Sequence, residues 1–226
     1  MESGTPPPAP EAPTAPSGAL AQGDAQTPQL RTGDGPPSAR YAAVTEFDHQ
    51  EEYSRLLPIV KSLLLIPHWF VLFFVFIGAL FAIVYAWFAV LITGKYPQGV
   101  QKFLVGTFRW TTRVSAYALL MTDRYPPFSL DHDDEYPARF DVSYTEEIDR
   151  WRPPVHWLLA YPYTLVAGVL MFLAYVCTFL AFFAILFTKK FPKGLFDFNV
   201  VAFRWQNRGN AYALFMVDKY PPWEWG

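Results

Sequence analysis

Cysteine is all but missing: Cys177 stands alone in 226 residues, which excludes a disulfide within the chain and leaves the redox compartment unread. A lone cysteine inside an apolar run is read as a small packed or lipid-facing residue. Catalytic signatures are missing too. The chain contains no GxSxG, no Walker loop and no GxGxxG, and no Cys/His spacing that would suit zinc. "DHDDE" in the acidic stretch 131–135 is read as a solvated linker and not as a metal site. With no nucleophile–base pair to nominate, the chain is expected to be no enzyme and to carry neither metal nor cofactor. Its net charge of -2 gives nucleic acid nothing to bind.

Charge is missing over long stretches. No Asp, Glu, Lys or Arg lies between Lys61 and Lys95, or between Arg152 and Lys189. Each gap exceeds the roughly 20 apolar residues that cross a bilayer core, so transmembrane helices are expected near 63–92 and 157–187. A 30-residue helix would measure about 45 Å against a core of about 30 Å, which places the first turns, around Pro67 and Pro162, at the interface. Residues 1–40 lack apolar periodicity and hold nine prolines, so they are expected to form a disordered tail. That tail has neither the basic start nor the apolar core of a secretory signal, and is expected to stay cytoplasmic.

What is present is a repeat. Subtracting 95 aligns Tyr136 with Tyr41, Arg150 with Arg55, Pro153 with Pro58, Pro162 with Pro67 and Gly194 with Gly99. The units are 41–128 and 136–226, joined by the acidic linker 129–135, and make the chain one tandem pair. "YPARFDVSY" at 136–144 alternates like a strand, and "YAAVTEF" at 41–47 is its weaker counterpart. Each unit then runs through a polar segment, the long apolar helix, a Pro-Gly turn and a second helix, about 100–121 and 196–216. The fold class expected is an all-α membrane protein, a tandem repeat of helical hairpins with a short strand before each.

The second helices raise the harder question. "RWTTRVSAYALLMTDRYPPF" at 109–128 recurs as "RWQNRGNAYALFMVDKYPPW" at 204–223. Arg109, Arg113 and Tyr117, like Arg204, Arg208 and Tyr212, fall on one helical stripe. Tyr125-Pro126-Pro127 is expected to end the helix. Two arginines near a helix centre cost roughly 5–7 kcal/mol, while about eight large apolar residues return roughly 2–5 kcal/mol, so this helix would not insert alone. It would lie in the interface, or pack against the long helix as a hairpin. Similar units most simply share one orientation, which favours the hairpin and four crossings over two, with inverted repeats as the alternative.

Asp123 and Asp218 follow these helices and would face the negative end of the helix dipole. Each therefore needs a cation. Pairing across the repeats, Asp123 with Arg204 or Arg208 and Asp218 with Arg109 or Arg113, is expected, with Arg124 and Arg139 as local alternatives. Trp110, Tyr117, Tyr125, Trp205, Tyr212 and Tyr220 are read as interfacial aromatics beside these arginines.

With Arg109, Trp110, Arg113, Ala116, Tyr117, Asp123, Tyr125, Pro126 and Pro127 and their second-copy counterparts in place, the chain resembles the bacterial membrane family known as domain of unknown function 4389. The resemblance spans nearly everything beyond residue 40 and implies a small multi-pass protein of the cell membrane. The Pro- and Ala-rich tail suggests an actinobacterial member. No activity comes with the resemblance. The function expected is that of a non-enzymatic scaffold or accessory subunit, whose partners are the lipid bilayer and other membrane proteins or a second copy of itself. The rival reading is a protein that binds or moves anionic lipid, with the paired arginines gripping phosphates.

Overall fold

The computed structural model describes residues 41–225 apart from Glu146. The expected disordered tail lies outside them. Strand β1 (Ala43–Phe47) leads to α1 (Leu57–Leu64), which turns at Leu65 into α2 (Ile66–Thr93). Then come α3 (Gln98–Ala118), β2 (Ala138–Val142), α4 (Pro153–Thr188) and α5 (Lys193–Ala213). The chain is mostly helical, with one small two-stranded sheet among the described residues.

Leu57–Thr93 and Pro153–Thr188 are each long and apolar enough to cross a membrane. Proline at the first or second helical position starts α1, α2 and α4, where its missing N–H costs nothing. The equivalent prolines behave differently further along. Pro67 follows the turn at Leu65, whereas Pro162 sits inside an unbroken α4. A seven-residue period governs what these helices bury: Leu65, Leu72, Ala79 and Ala86 in one, and Ala160, Ala167, Ala174 and Ala181 in the other. The stripe is narrow. Only 17% and 22% of the two most apolar windows are buried, so neither is the enclosed core helix of a soluble domain.

The amphipathic α3 and α5 fill the narrow stripes, α3 against α2 and α5 against α4. Their ends correct one expectation. Both helices stop well before Tyr-Pro-Pro, at Ala118 and Ala213, because Leu120 and Phe215 adopt left-handed φ values of 62° and 60°. The N–H groups of Leu120 and Met121 then return to Tyr117 and Ala116, and those of Phe215 and Met216 to Tyr212 and Ala211, which satisfies the last carbonyls in a Schellman arrangement. Gly106 marks where the linker presses on α3. A Cβ there would stand 2.8 Å from Leu130 Cβ and 2.9 Å from its carbonyl oxygen. Gly106→Ala is expected to cost roughly 1–3 kcal/mol by overpacking, whereas Gly99→Ala, which meets nothing within 4 Å, should gain up to roughly 1 kcal/mol from helix propensity. Equal shifts in melting temperature for the two variants would show that the linker does not press there.

The strands are crossed between the repeats: β1 packs on α5, and β2 on α3. They pair antiparallel, Ala43 with Val142, Thr45 with Phe140, and Phe47 with Ala138. Exchanging equivalent residues maps Ala43–Val142 onto Phe47–Ala138 and leaves Thr45–Phe140 on itself. A pseudo-two-fold axis therefore passes through the middle of the ribbon. The same relation holds at the helix ends, where Tyr53 N–H donates to the Lys189 carbonyl at 2.8 Å and Ile148 N–H to that of Gly94 at 3.0 Å. Each long helix thus begins beside the end of the other, so α2 and α4 run antiparallel. This overturns the expected common orientation of the repeats. The physical reason is the exchange of strands, which ties the two units about an axis perpendicular to their helices.

Candidate functional site

The four arginines of the repeated motif do not form one cluster. Arg109 leaves α3 toward the ribbon, donating through Nε to the Phe140 carbonyl at 3.2 Å and through Nη2 to Asp141 at 2.8 Å. Its counterpart Arg204 donates Nε to the Thr45 carbonyl at 3.2 Å, the equivalent acceptor. Both contacts reach the other repeat's strand. Arg109 thus forms an ion pair with a strand carboxylate of the other repeat, while Arg204 reaches the other repeat's strand through a backbone carbonyl.

Arg113 turns to the linker, where Nη2 donates to the Asp131 carbonyl at 2.5 Å and Nη1 to that of Ser129 at 3.4 Å. Its guanidinium lies 6.0 Å from the ring of Tyr136, whose hydroxyl donates to the Arg124 carbonyl at 3.0 Å. The counterpart of Tyr136, Tyr41, donates to the Lys219 carbonyl at 3.0 Å. Tyr41 and Tyr136 are thus matched staples, each reaching from one repeat to the tail of the other's motif. Burial holds the Tyr136 hydroxyl well above its ordinary pKa and pushes that of Tyr53 up to about 12. Both stay neutral donors, Tyr53 to the Met121 carbonyl at 3.0 Å.

The motif aspartates correct a second expectation, since neither meets an arginine of the other repeat. Asp123 pairs with Lys61 Nζ at 2.8 Å and accepts from Ser54 N–H at 2.6 Å. Lys61 also donates to the Thr122 carbonyl at 2.8 Å and lies 4.7 Å from the Tyr117 ring centre. Asp218 pairs with Arg152. The reason is the early end of α3 and α5, which lets the following residues fold back beside the start of their own long helix. Where the first repeat has Lys61 the second has His156, which stacks on Tyr212 at 4.4 Å.

The aromatics correct a third. Trp110, Tyr117, Trp205 and Tyr212 are buried, and only Tyr125 and Tyr220 are exposed, at 41% and 39%. Tyr125 and Phe128 of the Tyr-Pro-Pro-Phe tail fold onto His68, with Phe128 stacked at 3.8 Å, and Trp110 Nε1 donates to His68 Nδ1 at 3.1 Å. The second repeat builds the same box from Tyr163, Trp205, Tyr220 and Trp223. These contacts lock the motif's tail against the long helix, with Trp110, Tyr117, Trp205 and Tyr212 inside the protein and Tyr125, Phe128, Tyr220 and Trp223 at its surface.

Tyr41 and Tyr136 were visible as a repeated pair, and their hydroxyl role was not. Lys61 was hidden because nothing repeats it. No group of His, Cys, Asp and Glu suited to a metal occurs among the described residues. Two clefts beside Arg150 and Asp218, one of them also lined by Arg152, mix both signs of charge.

The chain belongs to the family described as domain of unknown function DUF4389, whose model matches it twice, over residues 58–129 and 155–224. The matched segments begin at the long helices and leave the strands outside. Neither the curated proteins nor the solved structures contain a significant match.

Proposed function

We propose that this chain is a protein of the cell membrane, its two long helices in lipid hydrocarbon, that acts as a scaffold or accessory subunit for other membrane proteins without chemistry of its own. One observation carries the reading. Large apolar side chains stand exposed along the whole of both helices, from Phe70 to Ile92 and from Leu158 to Phe187, a continuous apolar surface of the kind that marks a membrane or partner interface. The scaffold role rests on where the polar groups go. In the first repeat Arg109, Arg113 and Lys61 are engaged inside the fold, which leaves these three no open donors for a phosphate. The tail 1–40 is assigned to the cytoplasm.

Fractionation tests this directly. The protein is expected in the membrane pellet and to stay there through washes with high salt and alkaline carbonate; recovery in the supernatant would overturn the reading. Partners should co-purify in mild detergent, and a preparation carrying anionic phospholipid and no protein would favour the lipid-binding alternative.

A further inference from the structure

We infer that the membrane lies along the two long helices and not across them: the exposed apolar side of α2 and α4 is immersed in one leaflet, and the strand ribbon faces water on the same side as both ends of each helix. The inference rests on the membrane reading above. Three observations carry it.

The first is the level of the ribbon. Because Tyr53 sits beside Lys189 and Ile148 beside Gly94, and the pseudo-two-fold exchanges these pairs, the axis bisects the distance between Tyr53 and Gly94. It crosses the long helix near its midpoint, about Phe73 and Phe74. The same axis passes through Thr45 and Phe140, so the centre of the ribbon is level with the centre of the helices. Glu46, Asp48, Arg139 and Asp141 lie within three residues of that centre, which is about 10 Å at the rise of a strand.

The second is that this ribbon is ionic and partly open. Arg139 bridges Asp48 at 2.8 Å and Glu46 at 3.6 Å, and Asp48 is 60% exposed. If the helices crossed the bilayer, this network would lie within about 15 Å of the midplane of a core about 30 Å thick, where lipid-facing charge is strongly excluded. Layering removes the conflict. The ribbon packs on α3 and α5, which in turn fill the stripes of α2 and α4, so charge and apolar surface occupy opposite sides.

The third is length. The charge-free α4 has 36 residues, about 54 Å, longer than the roughly 40–45 Å of hydrocarbon and headgroup regions together, so a crossing helix must tilt or carry part of its apolar length into water. Lying along the leaflet imposes no such limit.

Single cysteines at Glu51, Gln98, Ser143 and Lys190, all exposed, report the arrangement in a Cys177→Ala background. Glu51 and Lys190 mark one end of the helix pair, Gln98 the other, and Ser143 the ribbon. A membrane-impermeant maleimide applied to intact spheroplasts and to inverted vesicles should label all four from one side only, each at more than ten times the extent seen from the other. Labelling of Glu51 and Gln98 from opposite sides would overturn the inference and leave the membrane reading intact, and would require a second copy or partner over the ribbon. A protein that fails to sediment with the vesicles would overturn the membrane reading itself.

Discussion

Lys61→Met should lower stability by roughly 3–5 kcal/mol, the usual effect of removing one member of a buried ion pair, and the melting temperature in mild detergent by on the order of 10 °C. Lys61 is 2% exposed at its side chain and Asp123 16%. Methionine fills the same volume but strands the carboxylate and frees the Thr122 carbonyl that Lys61 also satisfies. The stranded charge is the larger penalty. Adding Asp123→Asn removes it while keeping an oxygen for Ser54 N–H, so the double variant should recover more than half of the loss. A double variant that melts no higher than Lys61→Met would locate the effect in packing against Tyr117 instead of the charge pair. Arg152→Met in the second repeat should cost far less, because that pair is 33% and 42% exposed and solvent screens it.

Phe140→Ala should cost a further comparable amount, roughly 3–5 kcal/mol for a large aromatic removed from a closed core. Phe140 is 1% exposed and lies 5.8 Å from the ring of Phe108 on α3. Its ring belongs to the apolar cluster that joins the ribbon to α3, together with Leu104, Val105 and Val142. Thr45→Ala, directly opposite, removes much less volume, though it takes the hydroxyl acceptor from Asn207, and should cost about 1 kcal/mol. Chemical denaturation of the two variants in the same detergent compares them, and a Phe140→Ala loss no larger than that of Thr45→Ala would mean that the ribbon does not hold the repeats together.

The parts of this fold that were legible in the sequence are those that local periodicity and composition decide. The gap of 95, the two charge-free helices and the period of two in β2 are properties of neighbouring residues, and each reappears in the structure close to its expected bounds. The relation between the units was not legible. Orientation depends on which helix receives which strand, a long-range choice that leaves no mark within either unit. Asp123 shows the same limit. Its partner Lys61 is 62 positions earlier and has histidine at the equivalent place, so repetition, the strongest signal available, pointed away from it. The helix ends were misplaced for a physical reason too. Proline at 126 and 127 is a conspicuous stop, but Leu120 and Phe215 turn left-handed first, at a steric cost of roughly 1–2 kcal/mol that burial of their side chains offsets.

Arg113 and Tyr117 illustrate what a helical stripe can and cannot say. Their spacing did place them on a common face with Arg109, yet that face meets three surroundings along its length: strand, linker and the start of α1. Each side chain took the partner at its own level. The chemistry was therefore set by what covers the helix, not by the stripe.

Thr45 and Phe140 meet on the axis itself, and their difference has a bearing on how the chain came to be one polypeptide. In a dimer of identical units both places would hold the same residue: two phenylalanines would compete for one space, and two threonines would leave it underfilled. A duplicated chain is free of that constraint, since each half can specialise where it faces its twin. Asn207 donating to Thr112, its own counterpart, is the same liberty expressed in a hydrogen bond. Such mismatched pairs on an axis give the halves distinct identities, so that first and second are no longer interchangeable.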